Sequence, residues 1–145
     1  MPTRVARTEW SGGLADGSGR TELVSSGLGT YDVSFPKRSS EDAQGATSPE
    51  ELIAAAHSAC FAMQLSALLA NAGGTPERLE VTAEVSLGPD PAGGFRIPGI
   101  ALRVRGSVAG LDAEGFAKAA EAAKAACPVS KALAGTEISL DAALA

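Results

Sequence analysis

Two cysteines, Cys60 and Cys127, and one histidine, His57, are the side chains in this 145-residue sequence best suited to covalent or proton-transfer chemistry. A thiol reacts as its thiolate, so the question for each cysteine is what would favour the anion. Cys60 lies in an apolar run, where a free cysteine is ordinarily a small packing residue. To become a nucleophile it needs a fixed cation from elsewhere. Cys127 directly precedes Pro128, which breaks a helix and sets the sulfur at the edge of a new helical piece. On local physics alone, Cys127 is therefore the more acidic sulfur. His57 sits one turn before Cys60 and suits either a base paired with that thiol or a polar packing residue. Two cysteines and one histidine, with no Cys-x-x-Cys spacing, do not make a zinc or iron–sulfur site, so no metal is expected. Ser48 has no His or Lys close in sequence and reads as a helix cap, which leaves a hydrolase without a nucleophile–base pair.

These residues must be positioned by the elements around them. Ser48, Pro49 and Glu51 write a helix start: an N-cap, a proline for the first turn and a capping-box carboxylate. Glu50 beside them suits the helix dipole. From Leu52 to Ala72 the run carries no Asp, Glu, Lys or Arg. Ile53, Ala56, Cys60, Met63 and Ala67 share one face, and Leu52, Ala55, Ala59, Ala62 and Leu69 the other. A helix apolar on both faces must be wrapped by other elements, a second subunit among them.

Before this helix, the pattern predicts three short strands, Arg4 to Trp10, Thr21 to Ser25, and one through Tyr31, Val33 and Phe35, separated by glycine turns. Pro36 closes the third, and Lys37 to Thr47 reads as a polar loop. After the helix, Leu79 to Leu87 and Ile100 to Val108 alternate apolar and polar residues, as half-wet antiparallel strands do. The Gly- and Pro-rich stretch between them reads as a loop with a short extended piece near Phe95. Asp112 caps an alanine helix to Ala126, on which Phe116, Ala120, Ala123 and Cys127 form one stripe. A short helical piece from Pro128 and a last strand, Thr136 to Ala142, complete the order β-β-β-α-β-β-α-β. The expected class is α+β, a mainly antiparallel sheet around central helices, in a single domain over residues 1–145.

Composition narrows the function. Net charge is −5 and the sequence pI about 4.8, which argues against nucleic acid or an anionic membrane as partner. The apolar run is interrupted by His57, Ser58, Gln64 and Ser66, which favours a buried helix over a membrane span. The polar, glycine-broken first twenty residues do not resemble an export signal, and a cytoplasmic location is expected. In a reducing compartment, two cysteines are free thiols or a redox pair more often than a static staple.

The run Thr47-Ser48-Pro49-Glu50-Glu51-Leu52-Ile53-Ala54-Ala55-Ala56-His57-Ser58-Ala59-Cys60-Phe61, followed by Cys127-Pro128-Val129-Ser130, resembles the OsmC/Ohr family of thiol-dependent organic hydroperoxide reductases. The similarity is to the OsmC branch and extends to Trp10-Ser11-Gly12-Gly13 and Gly110-Leu111-Asp112. The resemblance implies that Cys60 is the peroxidatic cysteine and Cys127 the resolving one. It implies that Glu50 orients an arginine that activates the thiolate: Arg38 on the OsmC pattern, with Arg20 the competitor on the Ohr pattern. It also implies an intertwined homodimer with the site at the subunit interface, an organic or lipid hydroperoxide as substrate, and an external dithiol reductant such as a lipoylated protein. No bound cofactor is implied. Phe35, Phe61, Met63 and Phe95 suit either an apolar substrate pocket or core packing. On one straight helix Glu50 and Cys60 stand about 15 Å apart, at roughly 1.5 Å per residue. Arg38 spans part of that gap, the helix breaks, or Glu50 serves the partner subunit's Cys60; the last is favoured. The competing class is a non-catalytic dimeric stress or apolar-ligand-binding protein with inert buried thiols.

Overall fold

The computed structural model describes residues 1–145 and divides into two compact units, Met1–Glu51 and Leu52–Ala145. In the first, β1 (Arg7–Ser11), β2 (Ser18–Glu22) and β3 (Thr30–Val33) form an antiparallel meander in which Arg20 lies opposite Glu9 on one side and Asp32 on the other. The strand expected at Thr21 to Ser25 lies three residues earlier, because Ser18 and Gly19 are strand rather than turn, and the one expected at Arg4 to Trp10 starts three residues later and ends at Ser11. Glycine is a poor strand former, but here the Trp10 ring lies over Gly19, within 2.9 Å of where a Cβ would stand. The turn is made instead by Gly12, at φ +90, and by Gly17, packed against the backbone of Ser11 and Gly13.

The third strand ends earlier than expected, and the polar loop begins as a helical turn. Ser34 caps α1 (Phe35–Arg38) by accepting from the Lys37 N–H, and Pro36 sits in the first turn, where its missing N–H has no helical partner to lose. Phe35 and Arg38 are therefore helical. This unit buries almost nothing: Gly17, Thr21, Ala46 and Glu50 alone are buried, whereas Val5, Trp10, Leu14, Val24, Leu28 and Tyr31 are exposed.

The long helix α2 (Pro49–Asn71) is continuous across its whole length. Its start is capped as expected on one side only: Ser48 Oγ accepts from the Glu51 N–H at 3.1 Å, but the Glu51 carboxylate turns to the Thr47 hydroxyl at 2.6 Å rather than closing a capping box.

In the second unit, β4 (Thr75–Val85) pairs antiparallel with β7 (Gly99–Ala109), Val81 opposite Val104. Between them β5 (Gly88–Pro89) and β6 (Phe95–Arg96) form a small hairpin. Asp112 caps α3 (Ala113–Ala126) through the Gly115 N–H at 2.8 Å; α4 (Pro128–Ala132) follows. The chain then returns as β8 (Glu137–Leu144), which lies parallel to β7. A parallel partner requires a crossover, and the two helices supply it. The remaining pairings are antiparallel, so the class is α+β with a mainly antiparallel arrangement, as expected.

The core of this unit gathers Phe61, Leu65 and Leu69 of α2, Leu102 and Val104 of β7, and Phe116, Ala119, Ala120 and Ala123 of α3. His57 continues the buried stripe of α2. Full burial is confined to this stripe, and Ala55, Ala59, Met63 and Ala67 remain exposed, so the chain alone does not wrap the helix on all sides. By length and composition α2 is apolar enough to cross a bilayer, but here its stripe is core.

Candidate active site

Two segments far apart in sequence deliver the two sulfurs. α2 presents Cys60 one residue before its buried Phe61. The stripe Phe116, Ala120, Ala123 carries α3 into the core and ends at Cys127, fully buried, whose N–H still bonds the Ala123 carbonyl at 2.9 Å. A residue before proline is driven out of the helical region, and Cys127 takes φ −57 and ψ 123. The helix breaks there. The two Sγ atoms stand 2.9 Å apart, both as free thiols. They need only a small side-chain movement to reach a bond of about 2.05 Å.

The sulfurs differ electrostatically. Burial pushes the Cys60 thiol up, the hydrogen bond with Cys127 adds to this, and the Val129 N–H acts the other way. Burial also works against the Cys127 thiolate. It is outweighed by the hydrogen bond with Cys60, the N–H and hydroxyl of Ser130 and the N–H of Val129, so Cys127 lies below the usual thiol range. The ranking follows the sequence argument, and Cys60 still requires a cation to become the anion.

His57 does not pair with Cys60. Its Nε2 meets Ser130 Oγ at 2.8 Å inside the core, and its Nδ1 is buried with no hydrogen-bond partner. Burial pushes its pKa down, so the ring is neutral at neutral pH. Ser130 is the functional-site neighbour that residue types did not single out. It appeared only as the last letter of Cys-Pro-Val-Ser, and its contact with His57 is between residues 73 positions apart.

The arginine–carboxylate pair lies within the first unit. Arg38 Nε donates to both oxygens of Glu50, at 2.8 and 3.1 Å. Glu50 is 6 % exposed, a burial that a carboxylate tolerates when charge-paired. Only Nε is engaged in this pair, which leaves the outer guanidinium nitrogens to face another group. Arg20 differs: it meets Asp32 at 3.4 Å with both side chains largely exposed. The unbroken α2 excludes a helix break between Glu50 and Cys60, so the two remain separated by about 15 Å along it. Among the four candidate pocket residues, Phe61 belongs to the core, whereas Met63 and Phe95 are exposed and Phe35 is half-buried. No three His, Cys, Asp or Glu side chains gather into a metal-binding set.

The chain is thus an α+β fold that brings two free thiols together from separate segments and pairs a half-buried arginine with a buried carboxylate. A family model described as OsmC-like protein matches residues 40–141, and the chain belongs to that family. It is 42% identical over 138 residues to the peroxiredoxin OsmC of Escherichia coli, covering 95% of this chain and 94% of that one. It is 40% identical over 91 residues to the organic hydroperoxide resistance protein OhrA of Bacillus subtilis, 62% of each. The crystal structure of an organic hydroperoxide resistance protein OsmC from Legionella pneumophila superposes with a TM-score of 0.78 at 30% identity, covering 99% of this chain and 98% of that one.

Proposed function

We propose that this protein is a thiol peroxidase that reduces organic hydroperoxides to alcohols. The observation that carries the reading is the 2.9 Å approach of Cys60 and Cys127 from separate elements. The names of the relatives, a peroxiredoxin and organic hydroperoxide resistance proteins, support it. The Cys60 thiolate attacks the outer peroxide oxygen, the O–O bond breaks, and the alkoxide takes a proton and leaves as alcohol. Cys60 is then a sulfenic acid. The Cys127 thiolate attacks that sulfur, the S–O bond breaks, and the departing hydroxide takes a proton to leave as water. Two thiols have supplied two electrons, and an external dithiol, such as a lipoylated protein, returns them.

Arg38 supplies the permanent positive charge that Cys60 needs, and Glu50 fixes its guanidinium. In this reading the protein is a cytoplasmic homodimer, and Arg38 and Glu50 of one chain complete the site around the partner subunit's Cys60. Two observations support the dimer: the first unit lacks a core, and the Ala55–Met63 face of α2 is open. A heterodimer with Glu50→Ala on one chain and Cys60→Ser on the other tests the arrangement. Completion in trans puts both lesions in one site and leaves about half the activity; completion in cis leaves little.

One equivalent of cumene hydroperoxide is expected to remove two hydrogens from the intact mass. Cys127→Ser should stop at a trapped sulfenic acid, and Cys60→Ser should not react. Thiols that stay reduced, with sluggish Cys60 alkylation at neutral pH, would instead identify a non-catalytic binding protein.

A further inference from the structure

His57 and Ser130 form a second rung between the segments that carry the sulfurs. His57 precedes Cys60 by three residues on α2, and Ser130 follows Cys127 by three, so the pairs Cys60/Cys127 and His57/Ser130 lie side by side, one helical turn apart. Nothing in the peroxide chemistry above uses this rung, yet it buries a histidine with one ring nitrogen unpartnered. An orphaned N–H is the costlier of the two ways to leave that nitrogen, which puts the ring proton on Nε2. His57 then donates to Ser130 Oγ. The hydroxyl hydrogen is left to point elsewhere, and Ser130 stands on the first turn of α4, the helix that begins directly after Cys127.

We propose that His57 and Ser130 are positioning residues for the disulfide-forming step: His57 holds the Ser130 hydroxyl, and that hydroxyl holds and stabilises the Cys127 thiolate facing Cys60. This rests on the peroxidase reading for its biological purpose but not for its chemistry. The lowered pKa of Cys127, to which the Ser130 hydroxyl contributes, agrees with it. Other titratable groups near this junction are engaged or turned outward. On α3, Lys124 bonds the Ile138 carbonyl and pairs with Glu121; on α4, Lys131 is exposed; on β8, Glu137 is exposed and Asp141 is held by Arg105. On α2, Cys60 meets Cys127 and His57 meets Ser130.

The test separates the two halves of the reaction. In a single turnover with cumene hydroperoxide, Ser130→Ala should lose hydroperoxide at the parent rate or faster, because a weaker Cys127 thiolate leaves more of the shared charge on Cys60. Its disulfide should then form roughly tenfold or more slowly, the scale of one hydrogen bond to a charged atom, with Cys60 sulfenic acid accumulating. Ser130→Thr and His57→Gln, which keep a hydroxyl and an N–H donor, should restore most of the rate, and His57→Phe should not. Parallel slowing of both steps, or disulfide formation at the parent rate in Ser130→Ala, would overturn the proposal.

A measurement without peroxide keeps the two readings distinct. In a Cys60→Ser background, the ultraviolet thiolate absorbance of Cys127 is followed against pH with Ser130 present or replaced by Ala. A rise of the midpoint on losing the hydroxyl supports the proposal even if the parent consumes no hydroperoxide; an unmoved midpoint refutes it even if the parent does.

Discussion

The two arginines near the amino terminus offer a contrast between one positively charged side chain that is held and one that is solvated. Arg38 is tied through Nε to a buried carboxylate, whereas the Arg20–Asp32 pair is surface-exposed. Arg38→Lys keeps the charge but loses the planar fork, and peroxidase activity should fall roughly tenfold or more. Arg20→Lys should stay within about twofold, since exposed pairs contribute little; steady-state rates on cumene hydroperoxide compare the two. His57 makes a separate prediction about acid. Its folded pKa lies below the free value of 6.5, so the unfolded chain binds the extra proton first. The stability it permits is complete above that value and is lost as pH falls from it to the lower folded pKa. Denaturant midpoints should therefore drop on acidification below about pH 6.5, and His57→Gln should flatten that part of the slope. The meeting of Cys60 with Cys127 and of Arg38 with Glu50 was expected from the family resemblance, carried by the runs around the two cysteines, whereas local context alone left Cys60 a packing residue and Glu50 a helix-dipole residue. Ser130 and the true partner of His57 were not legible in the sequence, since no local spacing reports a contact between segments so far apart.

At the scale of elements, helices announced themselves through their ends. Ser48 and Asp112 both accept the backbone N–H that their positions called for, and α3 places its whole predicted stripe in the core. Asp112→Ala should destabilise the fold by about 1 kcal/mol, measured by urea unfolding. Strands were read less well where glycine stood in for side chains, as at Gly19 under Trp10. The same economy of space recurs at Gly106 on β7, where an added Cβ would meet the Phe116 ring at 2.7 Å and Leu79 at 3.0 Å. The ring is fully buried and has nowhere to move. Gly106→Ala should therefore lower stability by roughly 1–3 kcal/mol through overpacking, seen as a lower thermal midpoint. The parallel return of β8 lay beyond a pattern reading, because alternation specifies which face is buried but not the direction of the neighbour.

At the scale of the whole molecule, the first unit exposes most of its large apolar side chains and α2 exposes its Ala55–Ala67 face. Light scattering should give twice the chain mass, and Ala67→Glu, which puts a charge on that face well away from Cys60, should shift it toward one. Composition alone signalled the need, through a helix apolar all round, without naming the covered face. The two sulfurs have a further effect that concerns heat rather than chemistry. They are 67 positions apart in the chain, so the bond between them would tie a long loop and deprive the unfolded state of much of its freedom. On the chain-entropy account such a loop is worth about 4 kcal/mol, on the order of 10 °C in melting temperature for a chain of this size. A molecule that has just spent its thiols on a peroxide would thus be the more heat-resistant one, and a reductant would return it to the softer state in which the next turnover begins.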